Sequence, residues 1–194
     1  MRLVKEIVKY LLYQPFGVAL GKRSFIRRPY FISGRKHIRI GNRTSVLGGL
    51  HIEAISAYAG IAYQPCIEIS DNVYIGGHAY FTAVDRISIG SGCVLSEQVY
   101  ITDEVHGMDP RGGPIMDQPL ISKGPVTIGP HCFLGFRVAI MPGVTLGEHC
   151  VVGANSTVTR SFPAYSMIGG SPARLLKRYS QISRQWETLS SKME

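Results

Sequence analysis

The segment Ile101-Thr-Asp-Glu-Val-His-Gly107 carries a histidine immediately before a long stretch rich in proline and glycine. An imidazole titrates near neutral pH, so a neutral His106 can take the proton from a hydroxyl or amine as that group attacks a carbonyl. A base so placed contributes about 10²–10⁴-fold in rate, or about 3–5 kcal/mol of barrier. Asp103 and Glu104, three and two residues before it, are acids within reach of the ring for orienting it, and a backbone carbonyl would serve equally well. Asp85, in Ala83-Val-Asp-Arg86, is a further acid able to accept hydrogen bonds from a polyhydroxylated substrate.

The remaining histidines and the cysteines carry weaker signals. His131 and His149 stand eighteen residues apart at outward positions, and His78 is outward too, so all three are expected in solvent. A three-histidine metal site from His106, His131 and His149 would need a different spacing, so no metal is expected. There is no CxxC pair. Cys93, Cys132 and Cys150 are expected as buried free thiols in a reducing compartment.

These residues must be positioned by a repeat. Ile128, Leu134, Ile140, Leu146, Val152 and Val158 recur every sixth position, and the residue four places on is compact in all but Phe162. Ile69, Ile75 and Phe81 form another run; Ile89, Leu95 and Ile101 follow after a two-residue insertion, and Ile40, Val46 and Ile52 form an earlier, weaker one. No α-helix has a six-residue period and a lone amphipathic strand has a period of two. A hexad specifies a parallel β-helix in which each short strand buries one face on the coil axis. Three hexads make one coil, so Ile128 should lie beside Leu146 at about 4.8 Å. The period breaks at 54–65 and at 107–125. An irregular loop of the second kind, directly after a candidate base, is expected to be functional.

A chain of 194 residues with 45% apolar and 18% charged content is expected to form one folded domain. Its expected parts are an N-terminal helical and basic cap over 1–35, the coil over 36–170, and a C-terminal helix over 171–194. Leu3, Val4, Ile7, Val8, Leu11 and Leu12 follow helical spacing. Ser171 suits an N-cap with Pro172 after it, and Leu175, Tyr179, Ile182, Trp186 and Leu189 step by four and three. No run reaches the roughly 18 apolar residues that span a bilayer. Lys5, Glu6 and Lys9 interrupt any signal-peptide pattern, so a cytoplasmic location is expected. Residues 1–43 hold eleven Lys and Arg against one acid, Glu6, for a net of +10 in a chain of +8. That segment suits an anionic membrane surface, so peripheral contact with the inner face of the membrane is a second expectation. No nucleic-acid motif accompanies the charge, and a nucleic-acid partner is not expected.

Together the hexads, the Ile101–Gly107 segment and the closing Ile168-Gly-Gly-Ser-Pro-Ala-Arg174 resemble the hexapeptide-repeat O-acetyltransferases, most closely the bacterial enzymes that modify capsular, exopolysaccharide or O-antigen sugars. The resemblance covers roughly residues 36–178. It implies a left-handed parallel β-helix, a homotrimer with a site between neighbouring subunits, and acetyl-CoA as co-substrate without a metal. It places His106 as the base and the turn at Gly135-Phe136 as the oxyanion donor. Relatives often carry Ser at Phe136 and a second histidine at Glu104, so only the main-chain N–H can serve at Phe136. Ala154 and Thr159 match positions along the pantetheine arm, and Arg160, Arg174 and Lys177 match basic positions around the nucleotide phosphates, where Arg forks and Lys charges suit an anion. The expected activity is acetyl transfer to a sugar hydroxyl of a cell-surface polysaccharide precursor. The alternatives are a nucleotide-sugar N-acetyltransferase, an antibiotic acetyltransferase and a non-enzymatic trimeric scaffold.

Overall fold

The computed structural model describes residues 17–188, and the helix expected over Leu3–Leu12 lies outside them. Within them the chain winds as a left-handed parallel β-helix with three faces. The first face holds six strands, from Ala19–Leu20 through Ile38–Ile40, Cys66–Ile69, Arg86–Ile89 and Val126–Ile128 to Thr145–Leu146. The second begins at Phe25–Ile26 and grows to nine strands, and the third runs from Phe31–Ser33 to Thr157–Val158 in six.

Strand register follows the hexads. Ile40, Ile69, Ile89, Ile128 and Leu146 lie in one ladder, and Val46, Ile75, Leu95, Leu134 and Val152 in the next. All ten are buried on the axis, each worth about 1.5–3 kcal/mol relative to exposure. The compact hexad position lets the chain turn the corner. There the Cys93, Cys132 and Cys150 thiols are free and buried, each donating to a carbonyl of the next coil (Gly129, Gly147 and Pro163) at 3.1–3.3 Å.

Every long break in the period falls at the same corner, where the third face hands over to the first. Here 55–65, Val84–Asp85 and 103–125 are inserted between Ala54 and Cys66, Ala83 and Arg86, and Thr102 and Val126. The first insertion forms a hairpin, Ala57–Tyr58 against Ile61–Ala62. The last begins with Glu104–His106 paired antiparallel to Leu120–Ser122. Gln118, 6% exposed, stitches what lies between: its Oε1 accepts from the Asp109 N–H, and its Nε2 donates to the carbonyls of Asp109 and Gly113.

The C-terminal helix is not formed. Ser166–Gly170 is followed by Ala173–Ser180 and Gln185–Thr188 as antiparallel strands. The last coil would otherwise leave an open row of backbone donors and acceptors, and the hairpin pairs it. Gly170 makes the turn at φ +98°, a conformation that L side chains rarely adopt. Ala173 and Leu175 pack on the core while Arg174 and Leu176 face out, a period of two. Ile182, expected on the helix's apolar face, is 98% exposed.

Candidate active site

His106 ends the strand Glu104–His106, so the edge that collects the insertions also carries the candidate base. Its partner in register is Leu120. The ring is half-buried, and Nδ1 is shut away from solvent with no hydrogen-bond partner among the described residues. Tyr58, from the first insertion, meets it edge-on with centroids 5.5 Å apart, and its hydroxyl donates to the Met116 carbonyl at 2.7 Å. Tyr63 clamps the same loop, donating to the Leu120 carbonyl at 3.0 Å and accepting from the Leu120 N–H at 2.9 Å. Two period breaks thus form one wall around the imidazole. Sequence reasoning missed both tyrosines; aromatic residues inside an irregular break were the available signal.

Asp103 does not orient His106. Its carboxylate is fully buried and accepts the Val84 and Asp85 N–H groups, both at 2.9 Å, which fastens the two-residue insertion of the coil below. Burial raises its pKa above the ordinary carboxylate value, against the backbone N–H groups of Val84, Asp85 and Arg86 that lower it. Glu104 is also engaged elsewhere, with Oε1 at 3.2 Å from the Thr82 hydroxyl and 3.3 Å from that of Thr102. Asp85 is exposed on the same corner as His106.

The remaining candidates divide between places. Gly135, Phe136 and Ala154 come together at the corner between the second and third faces, the far end of the third face from His106. A Cβ on Gly135 would stand 2.7 Å from the Ala154 nitrogen, so only glycine fits there. The Gly135 N–H already donates to the Val152 carbonyl, whereas the Phe136 N–H donates to no acceptor among the described residues. The donor expected at this turn therefore narrows to Phe136. Thr159 and Arg160 are exposed on the His106 corner two coils along, with the Arg160 guanidinium 5.2 Å from the Phe162 ring centroid. Arg174 and Lys177 lie on the C-terminal hairpin opposite Gly169 and Met167. His131 and His149 stack at 4.8 Å on the corner between the first and second faces, away from His106.

Comparison with known proteins agrees with this architecture. The family model described as the hexapeptide repeat of succinyl-transferase matches residues 67–103 and 125–160. A protein of Escherichia coli (strain K12) named as a lipopolysaccharide biosynthesis O-acetyl transferase, WbbJ, is 31% identical over 168 residues, covering 84% of this chain and 82% of its own. A hexapeptide-repeat acetyltransferase from Vibrio cholerae, solved with acetyl coenzyme A, superposes with a TM-score of 0.56 at 25% identity over 93% of this chain and 79% of that one. AntD, an N-acyltransferase from Bacillus cereus solved with dTDP and 3-hydroxybutyryl-CoA, gives a TM-score of 0.67 at 19% identity over 92% and 90%, a likeness of fold. With the hexads in register, the insertions gathered at one corner and a relative matched along most of both lengths, the chain belongs to the hexapeptide-repeat acetyltransferases.

Proposed function

We propose that the protein moves an acetyl group from acetyl-CoA to a sugar hydroxyl of a cell-surface polysaccharide precursor, with His106 as general base. The observation that carries this is the imidazole itself: half-buried, walled by Tyr58, and at the head of the protruding loop. Its ring nitrogen takes the acceptor's proton as that oxygen attacks the thioester carbonyl, so no acyl-enzyme is needed. The tetrahedral oxyanion is held by a main-chain donor, for which the free Phe136 N–H is the candidate. The intermediate then expels the CoA thiolate, which takes the acceptor's former proton from the imidazolium and leaves as the free thiol. Thr159 and Ala154 suit the pantetheine arm, and Arg160, Arg174 and Lys177 are cations for its phosphates. No metal enters this scheme.

His106 and Phe136 occupy opposite ends of one face, so a site using both is completed by a second copy of the chain. A homotrimer with three shared grooves satisfies this. Exposed Met108, Ile115 and Met116 on the loop supply apolar surface for such a neighbour. Residues 17–43 hold eight Lys and Arg and no acid, with Tyr30, Phe25 and Phe31 exposed among them. That end of the coil is suited to an anionic membrane face, where lipid-linked glycans are assembled.

The test is incubation with acetyl-CoA and a panel of saccharides, following thiol release and the product's stability to mild alkali. An alkali-labile acetyl ester supports the reading. An alkali-stable amide would transfer the enzyme to amino-sugar acylation, and the absence of transfer to any saccharide would remove sugars as acceptors.

A further inference from the structure

The face leading to His106 carries no strand cation, although the molecule is cationic overall. The six strands of the third face contain no lysine or arginine, in a chain of net charge +8. Their outward residues form two files. Phe31, His51, Tyr80 and Tyr100 make the first, and Ser33, Glu53, Thr82 and Thr102 the second, nearer the His106 edge, where Thr82 and Thr102 are buried beneath Glu104. The rings of the first file stack, with centroids 4.9 Å apart for Phe31 and His51, 4.0 Å for His51 and Tyr80, and 5.6 Å for Tyr80 and Tyr100. The stack ends at Tyr100, whose next neighbour in register is Ala139. One ring face of Tyr100 therefore borders a methyl group instead of another ring.

Glu104 closes the second file. The Thr82 and Thr102 hydroxyls hold its Oε1, and Oε2 has no partner among the described residues. Strand alternation puts Glu104 on the same side as His106, two residues on. Tyr80 reports the same grouping from below: burial first, then the charges of Glu53 and Glu104, hold its phenol above the usual tyrosine value.

We propose that this strip seats the acceptor and selects a neutral, hydroxyl-rich sugar ring over an acidic one. The proposal rests on the acetyl-transfer reading of His106 and gives it a substrate class. The open face of Tyr100 packs on the C–H face of the ring, as an aromatic surface does with an apolar patch. Glu104 Oε2 accepts a hydrogen bond from a hydroxyl near the one that His106 deprotonates. An acceptor carrying a carboxylate there would set like charges together on a face with no strand cation to offset them, and that repulsion excludes it. A site built around a substrate hydroxyl discriminates more sharply than an apolar pocket, because the partner left behind is unpaired.

The experiment uses the full chain with acetyl-CoA and matched pairs of acceptors, hexosides and the corresponding hexuronides. Wild type should favour the hexoside in kcat/KM by about tenfold or more. Glu104→Gln, which keeps the shape and removes the charge, should lower hexoside kcat/KM and narrow that preference by about tenfold. Tyr100→Ala should raise KM for the hexoside while KM for acetyl-CoA stays unchanged, which also reports an intact fold. Equal use of both acceptors by wild type, or a preference that survives Glu104→Gln, overturns the proposal while leaving acetyl transfer in place. No transfer to any saccharide overturns both.

Discussion

An imidazole can act as a base only where one nitrogen is free to take a proton, so what surrounds His106 matters more than its presence. Its place before the loop was legible in the sequence, and the broken period marked where that loop leaves the coil. The orienting acid was not legible. Asp103 stands at a plausible spacing, but its carboxylate belongs to the backbone of the coil below, a contact between residues about twenty apart that no local pattern displays. Replacing it should therefore cost stability before chemistry. Asp103→Ala leaves the buried Val84 N–H without an acceptor, and denaturant unfolding should show a loss of about 1–3 kcal/mol. The folded variant should keep near-normal kcat. Because the folded carboxyl titrates above its unfolded value, its contribution to stability is fully present below the ordinary carboxylate range. That contribution is lost as pH rises through the raised value. Against an Asp103→Asn variant, which cannot titrate there, wild type should lose relative stability across that interval. Parallel curves would show that Asp103 is not strained by its burial.

At the scale of elements, the coil was readable because each strand places an aliphatic residue on the same axis, and every register pairing repeats that demand. The C-terminal segment was not. Ala173–Ser180 carries apolar residues at both helical and alternating spacings, and the choice was made by the unpaired edge of the last coil, which lies in three dimensions and not in the segment. The clamp on the protruding loop was hidden for the same reason. Tyr63 and Leu120 are 57 residues apart, yet one hydroxyl serves both main-chain groups of Leu120. Tyr63→Phe should leave that pair unmatched and lower local stability by about 1–3 kcal/mol. Limited proteolysis within 107–119 should then quicken while the coil resists. Unchanged cleavage would show that the Gln118 network holds the loop by itself.

Among the described residues the coil has charged side chains on its first face, exposed aromatic and apolar ones along its second, and a cationic N-terminal end. Phe25, Tyr74, Val94 and Phe133 stand exposed along the second face, and an apolar file of that length suits a neighbouring copy. Sedimentation equilibrium at micromolar concentration should give three chains per particle; a monomer that still turns over would contradict a shared groove. At the basic end each cation near anionic lipid is worth about 1 kcal/mol, so vesicle binding should be measurable at low salt and fall steeply by about 0.5 M. No flotation with anionic vesicles at low ionic strength would move the acceptor to a soluble sugar or nucleotide sugar. Acetyl transfer by this molecule depends on one imidazole, and the most direct test compares kcat for acetyl transfer and Kd for acetyl-CoA in wild type and His106→Ala. With His106 as the base, kcat should fall by about 10²–10⁴ with the Kd nearly unchanged; retention of more than about a tenth of the turnover would contradict that role.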